Sequence, residues 1–308
     1  MNAVQLLIIA LLVALTLWSL AFVLVAPLAQ GGGVAGLFYD RVLKVENVGQ
    51  GKTALITPGL GATYDKFNLL LGGGLVAAAI TEIRMKANDV EFFIDDGTNL
   101  NSRAAYLGVA TDVSQVTIDL TETRARGDAA QQYLASLPAN LLKKLVIEVD
   151  LDPAAGAGVT LACSAEFRGP TQNPFILKRR KFNYFSAGAA DHDLFLPAGV
   201  SGGIIKRVWL HDGGIVDAAL LRVGGFIALN YKTVAELQLV QKRQLPALVP
   251  QANIDVLDFV VDGNLQGALN TAVAKGQNAP DVNLRLTTNG AGNIEGFIDY
   301  IDPIDRLK

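Results

Sequence analysis

One block of this chain is written twice, and the repetition constrains the fold more than any single motif. Ile80, Ile83, Met85, Ile94 and Gly97 recur as Ile205, Val208, Leu210, Leu221 and Gly224. The offset is 125 for the first three pairs (205 − 80) and 127 for the last two (221 − 94). Both copies open with alternating apolar and polar residues, the mark of a half-buried strand. Both then pass through a polar cluster, Asn88-Asp89 or Asp212-Gly213-Gly214, into a second strand. A second echo follows. Ala130, Tyr133, Leu134 and Leu137 share one face of a helix by their spacing, and Leu265, Ala268, Leu269 and Ala272 repeat that spacing. Each predicted helix leads to an alternating strand, Leu145 to Leu151 or Val282 to Leu286, and then to a Gly-rich turn. The pattern predicts two similar β-rich domains in tandem.

The 308 residues suffice for two ordinary domains plus an appendage. With 18% charged residues and a formal net charge of −3, the chain lacks the basic field that sequence-specific nucleic-acid binding calls for. A single cysteine, Cys163, excludes an intrachain disulfide framework, and its alternating neighbours place it in a buried strand.

Val4 to Leu28 contains no charged residue and only Gln5, Thr16 and Ser19 as polar interruptions. At 1.5 Å per residue it is long enough for a hydrocarbon core of roughly 30 Å. Leu6, Leu7, Ile8, Leu12, Leu15, Trp18, Phe22 and Leu24 are its expected lipid-facing anchor residues. The first charges are Asp40, Arg41 and Lys44, which follow the span, so the positive-inside rule leaves the body on the cytoplasmic side.

The expected organisation is a transmembrane helix over residues 1–30 and a linker with a leading strand over 31–50. A first domain then covers 51–175, a basic and aromatic connector 176–190, and a second domain 191–308. Within this scheme the turn-rich stretch Phe167 to Pro174 marks the best boundary between the domains. Strands grouped without regular strand–helix alternation argue against a parallel α/β sheet. The fold class is therefore all-β, two tandem eight-stranded jelly rolls with short helical insertions.

Catalytic motifs fail on context. Gly199-Val200-Ser201-Gly202-Gly203 fits a nucleophile elbow by letter, but a β-branched strand follows where a helix is required. Gly31, Gly33 and Gly36 fit a dinucleotide fingerprint but follow a membrane-length apolar run instead of a strand. Gly51-Lys52-Thr53 lacks the first glycine of a phosphate loop, and Arg126-Gly127-Asp128 is a tripeptide that chance supplies. The chain carries no constellation of an enzyme. No cofactor is expected. Acidic pairs at Asp95-Asp96 and Asp299/Asp302 leave structural calcium open without the spacing of a dedicated loop. Lys178, Arg179, Arg180 and Lys181, beside Phe182, Tyr184 and Phe185, are candidate contacts for anionic lipid head groups, each worth about 1 kcal/mol near such a surface.

The block TYDKFNLLL…ITEIRMKANDVEFF, from Thr63 to Phe93, resembles the major coat proteins of tailless, membrane-containing phages, the corticovirus type in particular. Arg179-Arg180 followed by Phe182 and Phe185 resembles that family's connector, and Ile204 to Val216 a strand and turn of its second roll. The resemblance covers roughly Gly51 to Asp302, and it lies in the pattern and order of segments. It implies homotrimers whose six rolls make a pseudo-hexagonal capsomer. It also implies an icosahedral shell over an internal bilayer, with neighbouring capsomers and vertex or minor capsid proteins as partners. The chain differs from the corticovirus type in its full membrane-length N-terminus, which suits a shell protein assembled on the cytoplasmic face of a membrane. The reading from a different class is a host membrane-anchored tandem β-sandwich binding module. Its aromatic platform is hard to find, since Trp18 lies in the anchor and Trp209 in an expected core strand.

Overall fold

The computed structural model describes residues 38–125, 129–196, 203–272 and 278–307. The anchor residues Leu6 to Leu24, the Gly31–Gly36 stretch, Arg126-Gly127-Asp128 and Ser201 lie outside the described residues. Among those that are described, no helix is long and apolar enough to cross a membrane.

Sixteen principal strands divide into two sets of eight. The first set is β1 (Phe38–Leu43), β2 (Thr53–Ile56), β3 (Thr63–Gly72), β4 (Ile80–Ala87), β5 (Val90–Asp95), β6 (Gln115–Asp119), β7 (Leu145–Leu151) and β8 (Thr160–Arg168). The second is β9 (Phe175–Ala187), β10 (Ala190–Phe195), β11 (Ile204–His211), β12 (Val216–Val223), β13 (Phe226–Tyr231), β14 (Ile254–Asp258), β15 (Val282–Thr288) and β16 (Ala291–Pro303). In the first set the sheets run β1-β8-β3-β6 and β2-β7-β4-β5; in the second they run β9-β16-β11-β14 and β10-β15-β12-β13. Adding eight to each label of the first roll gives the second. Every pairing is antiparallel.

Alternation makes each roll. In β7 every second residue, Leu145, Ile147, Val149 and Leu151, is buried and the others half-buried. These face Phe67, Leu69, Ile118 and Ala165 of the opposite sheet in one apolar core. Val208, Leu221, Leu257, Leu284 and Ile298 build the core of the second roll. Each large apolar side chain taken out of water contributes about 1.5–3 kcal/mol. Cys163 is buried in β8, as its neighbours indicate.

The repeat is real, but its phase differs from the sequence reading. Ile80 to Asp95 forms β4 and β5, whose counterparts are β12 and β13, starting 136 residues later (216 − 80 and 226 − 90). Ile205, Val208 and Leu210 belong to β11, the counterpart of β3. The turns decide the phase. Asn88 and Asp89 form a two-residue loop with φ of 51° and 66°, and Gly224 and Gly225 form the other, at 54° and 85°. Such left-handed pairs match the twist of a hairpin.

The second echo also marks equivalent places, but not helices of two turns. A short helix, Ala129–Gln132, precedes Leu137–Pro138, which pairs with β3. In the second roll a 3-10 turn, Leu265–Gly267, precedes Leu269–Asn270, which pairs with β11. Backbone pairing to a sheet edge takes residues that the apolar spacing assigned to helix.

The helices that do form lie elsewhere: α1 (Gly97–Tyr106) after β5, and α2 (Val234–Lys242) after β13. Asp96 caps α1 through Asn99 N, and Thr233 caps α2 through Glu236 N. The expected connector, 176–190, is instead β9 and the start of β10. β9 pairs with β16 over thirteen residues. Residues 169–174 join the rolls, and Phe38–Leu43 serves the first roll as an edge strand on β8.

Candidate functional site

Sheet β9-β16-β11-β14 is buried on both faces, which an alternating strand alone does not require. In β11 six consecutive residues, Ile205 to Leu210, are buried. One face holds the second roll's core. The other is covered by the first roll, and the seam between them is charged.

Four residues cross that outer face in one row. Arg179 pairs in register with Asp299, Asp299 with Arg207, and Arg207 with Asp258. The alternating signs put each guanidinium between carboxylates. Arg179 donates Nε to Asp299 at 2.5 Å, and Arg207 donates Nε to Asp258 at 3.0 Å. Beside this row Phe297, Trp209 and Val256 form an apolar one, in which Trp209 donates Nε1 to Asp299 at 2.8 Å.

The first roll lays its β5 edge, α1 and the segment after β6 across these rows. Asp95 accepts from Arg103 at 2.9 Å and from Arg179. The Arg103 guanidinium lies 4.6 Å from the Trp209 ring and 4.7 Å from Phe297, within cation–π range. Tyr106 meets Trp209 edge-on at 5.1 Å and hydrogen-bonds Asp258 at 3.2 Å. Glu122 accepts from both Arg207 terminal nitrogens at 3.0 and 3.1 Å and pairs with Lys206 at 2.9 Å. Turn chemistry explains the placement. Asp96 starts α1 where β5 ends, so Arg103 falls about two turns and Tyr106 nearly three turns further along the same seam.

Burial would raise the Glu122 carboxyl, but Arg207 and Lys206 outweigh it and hold it down to about 2. Burial likewise opposes the charge on Asp299, yet Arg179 bonded to it keeps it well below the usual carboxylate range. For Arg207, burial lowers and the carboxylates of Asp258 and Glu122 raise, and the carboxylates win. This is a joint of mutually paired charges, with each of Glu122, Asp258, Asp95 and Asp299 held by a buried arginine.

The basic run expected at a lipid surface is divided by this geometry. Lys178 and Arg179 are buried, with Lys178 bonded to Asp302 at 2.7 Å, so neither reaches a head group. Lys181 is half-buried and paired with Glu295, and Arg180 is half-buried in β9. The acidic pairs are similarly engaged. Asp95 and Asp299 bind arginines, Asp302 binds Lys178 and Arg306, and Asp96 caps α1. No cluster of three metal-ligating side chains occurs among the described residues. Of the seam residues, sequence reasoning missed Glu122, Arg103, Lys206, Arg207 and Asp258. Arg207 and Lys206 inside an apolar β-branched run were the available signal, since buried charges come paired.

Comparison with known proteins fits this geometry. Residues 39–168 match the viral coat protein P2 N-terminal domain, and residues 176–304 match the viral coat protein P2 C-terminal domain. Among solved structures, the major capsid protein P2 of bacteriophage PM2 superposes with a TM-score of 0.78 at 18% identity, over 87% of this chain and 98% of that one. The major capsid protein of Sulfolobus Turreted Icosahedral Virus gives 0.64 at 12%, over 89% and 99%. The PBCV-1 virus capsid gives 0.56 at 8%, over 86% and 94%. At these identities the likeness establishes the fold, the double jelly roll. No match is found among curated proteins.

Proposed function

We propose, from the premise that this chain belongs to the viral coat protein P2 family, that it builds trimeric capsomers of an icosahedral shell held on an internal bilayer by its N-terminal segment. The chain is a structural capsid protein of a virion and not an enzyme. The observation that carries the reading is the pair of family domains, matched end to end, coinciding with two rolls locked by a buried ionic seam. Three chains would supply six rolls, enough for a pseudo-hexagonal tile. The apolar run Val4 to Leu28 supports anchoring, with the body on the cytoplasmic side of the host membrane before assembly. Neighbouring capsomers and vertex proteins are the remaining partners of such a shell.

The test compares the full chain with one lacking residues 1–30. The full chain is expected to float with lipid vesicles through high salt and the shortened one to remain below. Light scattering is expected to give three chains per particle for both. Flotation of the shortened chain at high salt would remove the anchor, and a strict monomer in both forms would remove the capsomer.

A further inference from the structure

A cavity of about 330 Å³ is enclosed by the outer face of β3, β6 and β8, by α1 and by the charged seam. Its walls differ in sign. The seam wall presents Arg103, Arg179, Lys206 and Arg207 against one carboxylate, Asp299, and each of the five is at most 5% exposed. Asp95, Glu122 and Asp258, the other carboxylates that pair with these cations, do not line it. The first-roll wall presents Asp119, Glu166 and the exposed Asp112 against one ammonium, that of Lys66. The net charge is therefore +3 on one wall (4 − 1) and −2 on the other (1 − 3).

Both walls have bonding capacity left. Arg103 Nη1 and the hydroxyl of Thr123, another lining residue, are buried and have no hydrogen-bond partner among the described residues. Leaving such a group unmet costs about 1–3 kcal/mol, so a further group that completes the bonding is favoured there. On the first-roll wall Lys66 Nζ stands 3.4 Å from Asp119 and 4.0 Å from Glu166, which pairs neither carboxylate tightly. Burial pushes the Asp119 carboxyl above its ordinary value even with Lys66 beside it. The lining also has an apolar part, Leu100 and Ala104 of α1 with Leu107 just beyond, which suits a short hydrocarbon linker.

We propose that this cavity binds a small zwitterion, a molecule with a phosphate or carboxylate at one end and an ammonium at the other. The walls orient it, with the anionic end towards Arg103 and Lys206 and the ammonium towards Asp119 and Glu166. A simple anion would face the carboxylates of the first roll, and a simple cation the arginines of the seam. Each is penalised where a dipolar ligand is not. The volume matches the lower end of small-molecule sites, about 300 Å³. The inference does not depend on how the chains assemble.

The experiment is calorimetric titration of the full chain in a mild non-ionic detergent. The probes are phosphoethanolamine and β-alanine, one for each kind of anionic end, with inorganic phosphate and ethanolamine as separated halves. At least one zwitterion is expected to bind about tenfold more tightly than either half. Asp119→Asn, a conservative change of a half-buried side chain, is expected to weaken that zwitterion about tenfold and leave phosphate bound as well or better. Ala104→Trp, which fills the cavity, is expected to abolish binding; where it lowers the melting temperature, Asp119→Asn carries the test. Short-chain phosphatidylethanolamine, titrated in parallel, separates the sources of the phosphate chemistry. Tighter binding of the lipid identifies a head group and tighter binding of the free compound a soluble ligand, and both uphold the site. No saturable binding of either zwitterion, equal affinity for zwitterion and phosphate, or full affinity in Asp119→Asn would overturn the proposal.

Discussion

Asp255 sits in β14 with only 6% of its surface exposed. Burial, with the neighbouring Asp212 carboxylate, pushes it up to about 7. An unfolded aspartate titrates near 3.9. The fold therefore holds the proton more tightly, and this group's contribution is complete below about pH 4 and lost as pH rises through about 7. Glu122, held at about 2, works in the other direction, and its contribution fades as pH falls from about 4.3 towards 2. Melting temperature is accordingly expected to decline between pH 5 and about 8, and Asp255→Asn to flatten that decline. In that variant little slope should remain below about pH 6.5, since burial pushes the Asp96 carboxyl up to about 6 while burial and the nearby Arg103 hold His211 down at about 4, and the two act in opposite directions. Equal slopes in the two proteins would refute the assignment. Local chemistry of this kind was hardly legible in sequence. Lys178 and Arg179 read as a solvent-facing basic run because their carboxylates stand 124, 120 and 84 residues away.

At the scale of elements, α1 depends on one close approach. A side-chain carbon on Gly97 would lie 2.3 Å from the Ala77 carbonyl oxygen, so any larger residue displaces the helix start. Gly97→Ala is expected to cost about 1–3 kcal/mol in denaturant unfolding. A variant of unchanged stability would show that the helix start has room. The strands themselves were legible. Alternation over Leu145 to Leu151, Val282 to Leu286 and Val116 to Leu120 locates β7, β15 and β6, because a half-buried strand must alternate. The phase of the repeat was not, since β11 and β12, which belong to different sheets, alternate like the β4–β5 hairpin. Only the matching two-residue turns, Asn88-Asp89 and Gly224-Gly225, separate them. The helices α1 and α2 carried a cap signal, Asp96 and Thr233, in stretches too weakly apolar for periodicity to show them.

For the whole molecule, the seam makes two rolls one cooperative body. Removing one member of a buried ionic network costs about 3–5 kcal/mol, because its partners are left charged and unpaired. Arg207→Ala strips partners from both Glu122 and Asp258. Wild-type unfolding is expected as a single calorimetric transition, and that of the variant as two, with each core melting by itself. A single shifted transition in the variant would mean that apolar contacts such as Tyr106 on Trp209 suffice to couple the rolls. The seam also bears on how such a chain can change over generations. Reversing the sign of Arg207 alone would bury three like charges together, since Glu122 comes from one roll and Asp258 from the other. Two further reversals would be needed to restore balance, and the intermediates would be less stable than either end. At this joint a lineage must move by several residues at once or stay where it is.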